Sequence, residues 1–113
     1  MERFGLDFGT TNTALAWARD DGGSSLVDLD PLAVNHQVLR SLLYYSIEQR
    51  GFVVGQQAID EYLAEDMEGT LIQSIKTFLG DDSFEDTFIV DRRYRLEDLV
   101  AVLLRAVQAA VRR

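Results

Sequence analysis

A segment near the start of the chain, residues 5–13 (Gly-Leu-Asp-Phe-Gly-Thr-Thr-Asn-Thr), combines residue types that bind phosphate. Gly9 allows a sharp backbone turn, and the N–H groups of residues 10–12 can then converge on an anion. Asp7 lies just before the turn, and a carboxylate beside phosphate favours a hydrated Mg²⁺ ion. The segment therefore predicts a phosphate-binding hairpin that links two strands.

Other interpretations of the same residues differ in strength. On spacing alone, an ordinary hairpin with an aspartate near its turn is the stronger interpretation. A Walker loop is excluded, because it runs from a strand into a helix and needs a Gly-Lys-Ser/Thr sequence that this chain lacks. The triplet at residues 7–9 also spells the magnesium motif of protein kinases, but no glycine-rich loop or catalytic loop accompanies it.

Composition narrows the class of protein. The chain has 113 residues, a net charge of −8, no cysteine and a single histidine, His36. The acidic balance argues against binding to nucleic acid or to an anionic membrane. Without cysteine there is no disulfide, zinc–thiolate site or thiol catalysis. Because the chain has neither an apolar run of about 20 residues nor a signal peptide at its start, we expect a cytoplasmic domain.

The elements expected to position the hairpin form a three-strand meander. Apolar residues alternate over 4–8, which predicts a half-buried strand, and residues 13–18 predict a second strand. A strong turn signal at residues 20–23 precedes a third predicted strand at 26–29, which Asp30-Pro31 ends.

The middle of the chain predicts two strands and two helices. The strands are expected at 42–47 and 52–54, and a short helix begins at Gly55 and frays near Glu65. A capping box formed by Thr70 and Gln73 predicts a second helix, which Gly80 would close. An acidic loop at 81–86 and a pair of short strands within 87–94 follow.

Residues 96–113 give the clearest helix. Apolar residues cover most of its surface, with Glu97 and Asp98 in the first turn and arginines in the last turn, as the helix dipole favours. The chain stops directly after this helix, so we expect it to be a fragment of a larger domain.

Five segments in the same order resemble the DnaK-type (seventy-kilodalton heat-shock) chaperones, in the actin/hexokinase-type ATPase superfamily. Residues 5–12 resemble the family's first phosphate motif, Gly-Ile-Asp-Leu-Gly-Thr-Thr-Asn. Residues 39–45 resemble its Thr-Pro-Ser-then-strand segment, 53–58 its Val-Gly-x-x-Ala helix start, and 74–80 its Lys-Arg-Leu-Ile-Gly segment. The stretch 94–113 is similar to the family's long helix.

The resemblance implies roles for individual residues. Asp7 would face the water shell of Mg²⁺, and Thr10, Thr11 and Asn12, following Gly9, would contact the β- and γ-phosphates of ATP or ADP. Lys76 would match the lysine that reaches the γ-phosphate and positions the attacking water. Without the resemblance, a solvated residue on the polar face of an amphipathic helix is the stronger interpretation of Lys76.

The resemblance also implies the architecture and the activity. The expected fold class is α/β, an RNase H-like (actin-like ATPase) fragment, with residues about 1–31 and 95–113 in a main lobe and about 32–94 in an inserted α+β subdomain. The full-length protein would bind and hydrolyse ATP as a molecular chaperone, with unfolded polypeptides and co-chaperones as partners. The fragment alone is expected to be inactive, because half of the nucleotide clamp lies beyond residue 113.

Departures from the family pattern leave alternatives. Arg40 stands where the family has proline, which favours a divergent, YegD-like branch. A sugar-kinase-type phosphotransferase shares the Asp-x-Gly-Thr-Thr hairpin, although the Lys76 segment weighs against it. A non-enzymatic interaction module that docks through helix 96–112 is a third possibility from a different class.

Overall fold

The computed structural model describes residues 3–73, 86–89 and 92–112, and these ranges form a mixed α/β fold with antiparallel sheets. The elements within them are β1 (Arg3–Phe8), β2 (Asn12–Ala18), β3 (Ser24–Leu26), β4 (Leu39–Arg40), β5 (Leu43–Ser46), β6 (Gly51–Val54), α1 (Gly55–Ala64), β7 (Thr70–Ile72), β8 (Asp86–Ile89), β9 (Arg92–Arg95) and α2 (Leu96–Val111).

The predicted N-terminal meander is confirmed, with its third strand displaced. β1 pairs with β2, and β2 pairs with β3, both antiparallel. The third strand occupies Ser24–Leu26 instead of 26–29. Its position follows from the tight turn before it, in which the Arg19 N–H donates to the Gly23 carbonyl at 2.8 Å, so that pairing resumes immediately at Ser24 opposite Ala18.

The two faces of the β1–β2 ribbon differ in side-chain size. One face carries Thr13 and Leu15, which are buried. On the opposite face, Asp7 lies across from Ala14 and Gly5 across from Ala16, so that face is lined by small residues. The predicted half-burial of β1 is wrong, because every residue of β1 except the half-buried Phe8 is exposed. Among described residues β1 pairs with β2 alone, and Phe4 and Leu6 are 44% and 46% exposed.

The helix predicted from Thr70 is wrong in its first turn. Thr70–Ile72 forms β7, which pairs antiparallel with β5, with Leu43 opposite Ile72. A short apolar run suits a strand or a helix equally well, and pairing with β5 decides between them. The remainder of that predicted helix, including Gly80, lies outside the described residues, as does most of the acidic loop 81–86.

The start of α1 depends on a contact with a distant residue. Gly55 has φ +63°, and a Cβ there would lie 2.5 Å from Oδ2 of Asp30. That same oxygen accepts a hydrogen bond from the Gln56 N–H at 2.9 Å, which satisfies one of the free donors at the helix N-terminus. The glycine therefore allows the Asp30 carboxylate to cap α1.

A buried carboxylate closes the other end of α1. Glu65, expected to lie in a frayed end, is 7% exposed and accepts hydrogen bonds from the Tyr44 hydroxyl, the Ser46 hydroxyl and the Ile47 N–H. The bond from Ser46 contributes most to holding the pKa of Glu65 below its ordinary value of 4.5. Burial, followed by the bond to Glu65, raises the pKa of Tyr44.

α2 supplies one side of the core, and the two short strands predicted before it, β8 and β9, are confirmed. Glu97 and Asp98 occupy the first turn as predicted, and Asp98 accepts the Arg95 N–H at 2.8 Å. The last turn contains no basic residue, because the helix ends at Val111 and Arg112 follows it.

One apolar cluster joins residues from both parts of the predicted division. Its buried members are Leu15, Leu29, Leu39, Leu43, Ile89, Leu99, Leu103, Val107 and Ala110. The division into a main lobe and an inserted subdomain stays a prediction. Neither of the two described helices has the length and apolar character needed to cross a membrane.

Candidate functional site

The turn between β1 and β2 has a shape that requires glycine. The Gly9 N–H donates to the Asn12 carbonyl at 2.9 Å, which closes the hairpin. A Cβ added at Gly9 would lie 2.5 Å from that same carbonyl oxygen, a distance that real Cβ contacts essentially never show. Position 9 therefore accepts a side chain only if the turn opens.

Ser41 anchors the turn from the other side of the sheet. Its N–H donates to the Thr11 carbonyl and its hydroxyl donates to the Gly9 carbonyl, both at 2.9 Å. The Ser41 hydroxyl also lies 2.8 Å from the hydroxyl of Thr13, and both residues are buried. These bonds use the carbonyl groups of the turn and fix its backbone against the start of β5.

Thr10 and Thr11 form the exposed part of the turn. Neither the N–H nor the hydroxyl of Thr10 or Thr11 bonds to another described residue, and both side chains are exposed. Both residues line a cavity of about 260 Å³. That volume is below the roughly 300–1,000 Å³ of pockets that enclose a whole ligand, and it suits a part of one, such as a phosphate chain.

Asp7 and Asn12 share a face at this end of the ribbon. Asp7 pairs with Ala14, and Asn12 lies two residues before Ala14 on β2, so the two side chains project on the same side. Asp7 is exposed, and its carboxylate makes no hydrogen bond or ion pair with another described residue. A Cβ added at the neighbouring Gly5 would meet nothing within 4 Å, so the space beside Asp7 is open.

The structure thus brings together five of the six predicted site residues, Asp7, Gly9, Thr10, Thr11 and Asn12. Lys76 lies outside the described residues. Gln73, the last described residue before it, lines the same cavity as Thr10 and Thr11.

The donor set fits a metal ion that arrives with a ligand. No three His, Cys, Asp or Glu side chains come close enough to hold a metal within the ranges that the structure covers. Mg²⁺ keeps several of its waters in protein sites and is often held through one carboxylate together with substrate phosphates. The single exposed carboxylate of Asp7 is compatible with that requirement.

Sequence reasoning missed the role of Ser41. Its bonds reach residues 28 and 32 positions earlier in the chain, so no local pattern reveals them. The signal that was present is the order of segments, since Ser41 belongs to the stretch 39–45 that resembles the family's Thr-Pro-Ser segment. Arg40, in the same stretch, lines the cavity beside Thr10 and Thr11.

Comparison of the chain with protein-family models gives no match, and comparison with curated proteins gives none either.

Proposed function

We propose that this chain is the N-terminal part of an ATP-binding and ATP-hydrolysing domain of the actin/hexokinase-type superfamily, similar to the DnaK-type chaperones and RNase H-like in fold. The observation that carries this proposal is the turn at residues 9–12. The carbonyls of Gly9, Thr11 and Asn12 accept hydrogen bonds from Ser41 and Gly9, while the amides of Thr10 and Thr11 bond to no other residue that the structure describes, and both residues line a cavity.

The residues of the chain act on the phosphate end of the nucleotide. The free N–H groups and hydroxyls of Thr10 and Thr11 donate to the β- and γ-phosphates, and Asn12 adds an amide side chain on the same side. Asp7 would hold a hydrated Mg²⁺ ion, which would supply neutralisation of the phosphate charge. Such positioning and charge neutralisation make up most of the catalysis of phosphoryl transfer.

The proposed nucleotide site also includes Lys76 and residues that follow position 113. Lys76 orients the attacking water, as the resemblance implies. The nucleotide contacts that the family places after residue 113 hold the adenosine and the other side of the phosphates. We therefore expect the 113-residue chain to bind MgATP weakly and not to hydrolyse it.

The test is a titration of the ¹⁵N-labelled chain with MgATP, followed by the amide resonances of Thr10 and Thr11. We expect these two resonances to move at millimolar MgATP, while amides of the distant turn at 47–50 stay in place. Equal small shifts throughout the chain, or none, would contradict the proposal. Micromolar affinity would contradict the division of the site between this chain and later residues.

Turnover in the full-length protein gives a second test. Asp7→Asn and Lys76→Ala should each lower the ATPase rate at least tenfold, because each removes a charge that positions the reacting groups. Asp28→Asn, which changes an exposed carboxylate away from the turn, serves as the matched control. A full rate in both site variants would show that the site assignment is wrong.

A second candidate function is an interaction module that docks through α2. Leu104 and Val111 of α2 are 41% and 39% exposed, and together with Phe4 and Leu6 they line an open apolar groove. Leu104→Glu separates the two candidates. Loss of a binding partner with the MgATP shifts unchanged would favour the interaction module, whereas Asp7-dependent nucleotide binding favours the ATPase.

A further inference from the structure

We propose that the guanidinium group of Arg40 belongs to the phosphate site and binds the terminal phosphates of a polyphosphate ligand. This inference rests on the proposed function and adds to it a charged residue that determines affinity for the phosphate chain. It concerns a position at which the chain departs from the family it resembles.

Arg40 lies beside the turn at residues 9–12. Arg40 lies in β4 directly opposite Asn12 of β2, and the side chains of directly opposed residues project on the same side of a sheet. Arg40 also lines the cavity that Thr10 and Thr11 line. The Arg40 side chain therefore projects on the same side as that of Asn12, at the cavity that Thr10 and Thr11 also line.

The backbone on both sides of Arg40 is held by burial and hydrogen bonds. Leu39 before Arg40 is 2% exposed, and Ser41 after it is 1% exposed and bonded to the turn. The Arg40 carbonyl accepts the Leu42 N–H at 2.8 Å. The exposed Arg40 side chain thus projects from a backbone that is held on both sides, at a fixed place relative to Thr11.

Arg40 places a positive charge at this cavity. The chain carries a net charge of −8, and Arg19 and Arg95 each lie within 4 Å of a carboxylate. Arg40 makes no ion pair or side-chain hydrogen bond with another residue of the described ranges. It is the one charged residue among the described residues that line this cavity.

The chemistry of these groups indicates the ligand class. The planar guanidinium presents paired N–H donors that match two phosphate oxygens. The threonine amides add neutral donors beside it. The arrangement fits adjacent phosphoryl groups, whose source is either a nucleoside triphosphate or free inorganic polyphosphate.

The experiment compares four forms of the chain: wild type, Arg40→Ala, Arg40→Lys and Arg105→Ala. Arg105→Ala removes the same charge from an exposed position on α2. Each form is titrated with MgATP, inorganic tripolyphosphate and adenosine, and the Thr10 and Thr11 amide shifts give Kd. The spread of amide resonances establishes that each variant is folded, and the Arg40→Lys variant keeps the charge if Arg40→Ala does not fold.

We expect Arg40→Ala to raise Kd for MgATP and tripolyphosphate roughly ten- to a hundredfold, the range for a lost hydrogen bond to a charged group. Arg40→Lys should raise Kd less, and Arg105→Ala less than about twofold, since its charge is distant and screened. In this chain MgATP and tripolyphosphate should bind about equally, because the proposed function places the adenosine contacts after residue 113. The same two titrations of the full-length protein distinguish the sources: tighter binding of MgATP identifies the nucleotide, and equal binding identifies the phosphate chain alone. Both orders support the contact.

Three results would overturn the inference, and a fourth would overturn the proposed function with it. Unchanged Kd in Arg40→Ala overturns the contact while leaving the proposed function intact. Equal loss in Arg105→Ala shows a general charge effect. Thr10 and Thr11 resonances that are already displaced in ligand-free Arg40→Ala show a structural effect, with adenosine, which carries no phosphate, as the ligand expected not to bind. Absence of MgATP and tripolyphosphate binding in the wild type removes the proposed function itself.

Discussion

Glu65 is a buried carboxylate whose ionised form is stabilised by hydrogen bonds from Tyr44, Ser46 and Ile47. Because folding lowers its pKa below 4.5, the folded state binds fewer protons at this group than the unfolded state does. The stabilising contribution is therefore fully present above pH 4.5 and is lost as the pH falls through the lowered pKa.

We predict that Glu65→Gln lowers the melting temperature at pH 7. The melting temperature of this variant should also decrease less than that of the wild type as the pH is lowered below 5. Thermal unfolding followed by circular dichroism across that range measures both effects. The matched control is Glu68→Gln, which changes an exposed carboxylate three residues away. If the two variants show the same acid dependence as the wild type, the buried cluster does not set the acid stability.

Gly9 and Gly5 offer a second comparison at the level of single residues. A Cβ at Gly9 would lie 2.5 Å from the Asn12 carbonyl oxygen, whereas a Cβ at Gly5 meets nothing within 4 Å. We predict that Gly9→Ala lowers the free energy of unfolding by about 1–3 kcal/mol and that Gly5→Ala changes it by less than about 0.5 kcal/mol. Urea unfolding measures the two values, and equal losses would contradict the turn geometry.

At the scale of elements, α2 depends on its buried side. Leu103 is 1% exposed, and the adjacent Leu104 is 41% exposed. Leu103→Ala should lower the free energy of unfolding by about 2–5 kcal/mol, because it leaves a cavity in the apolar cluster. Leu104→Ala should lower it by roughly 1 kcal/mol, since less apolar area returns to water. Equal effects in chemical denaturation would show that α2 is oriented differently.

For some helices and strands, the local sequence pattern is sufficient to predict the element. Period-two alternation over residues 4–8 predicted β1, and the apolar surface of 96–113 predicted α2, because each pattern matches the geometry of one element. The helix predicted from Thr70 was wrong because residues 70–72 pair with β5, whose residues lie 25 to 29 positions earlier in the chain. Three residues carry too little periodicity to reveal that pairing.

At the scale of the whole molecule, the net charge of −8 opposes compactness. The principal extents are 49 × 34 × 20 Å. At 10 mM salt the screening length is about 30 Å, which exceeds the shortest extent, so most of the acidic groups repel one another. At 100 mM salt it is about 10 Å, and the repulsion is confined to neighbours.

We therefore predict that raising NaCl from 10 to 100 mM raises the melting temperature at pH 7. Near pH 4.4, the isoelectric point, the same change in salt should have little effect, because the net charge is close to zero. Differential scanning calorimetry at the two pH values measures the effect. A melting temperature that falls with salt at pH 7 would show that local ion pairs outweigh the general repulsion.

The amino-acid sequence alone predicted the hairpin, because Gly9 and the residues that follow it act through their own backbone over a few positions. The phosphate chemistry assigned to the hairpin stays a prediction. The sequence also predicted α2 and the first two strands from local pattern. Tertiary structure decided the roles of Ser41, Asp30 and Glu65, whose hydrogen bonds join residues 18 to 32 positions apart. Such bonds depend on how separate elements pack, so they leave no trace in the spacing of neighbouring residues.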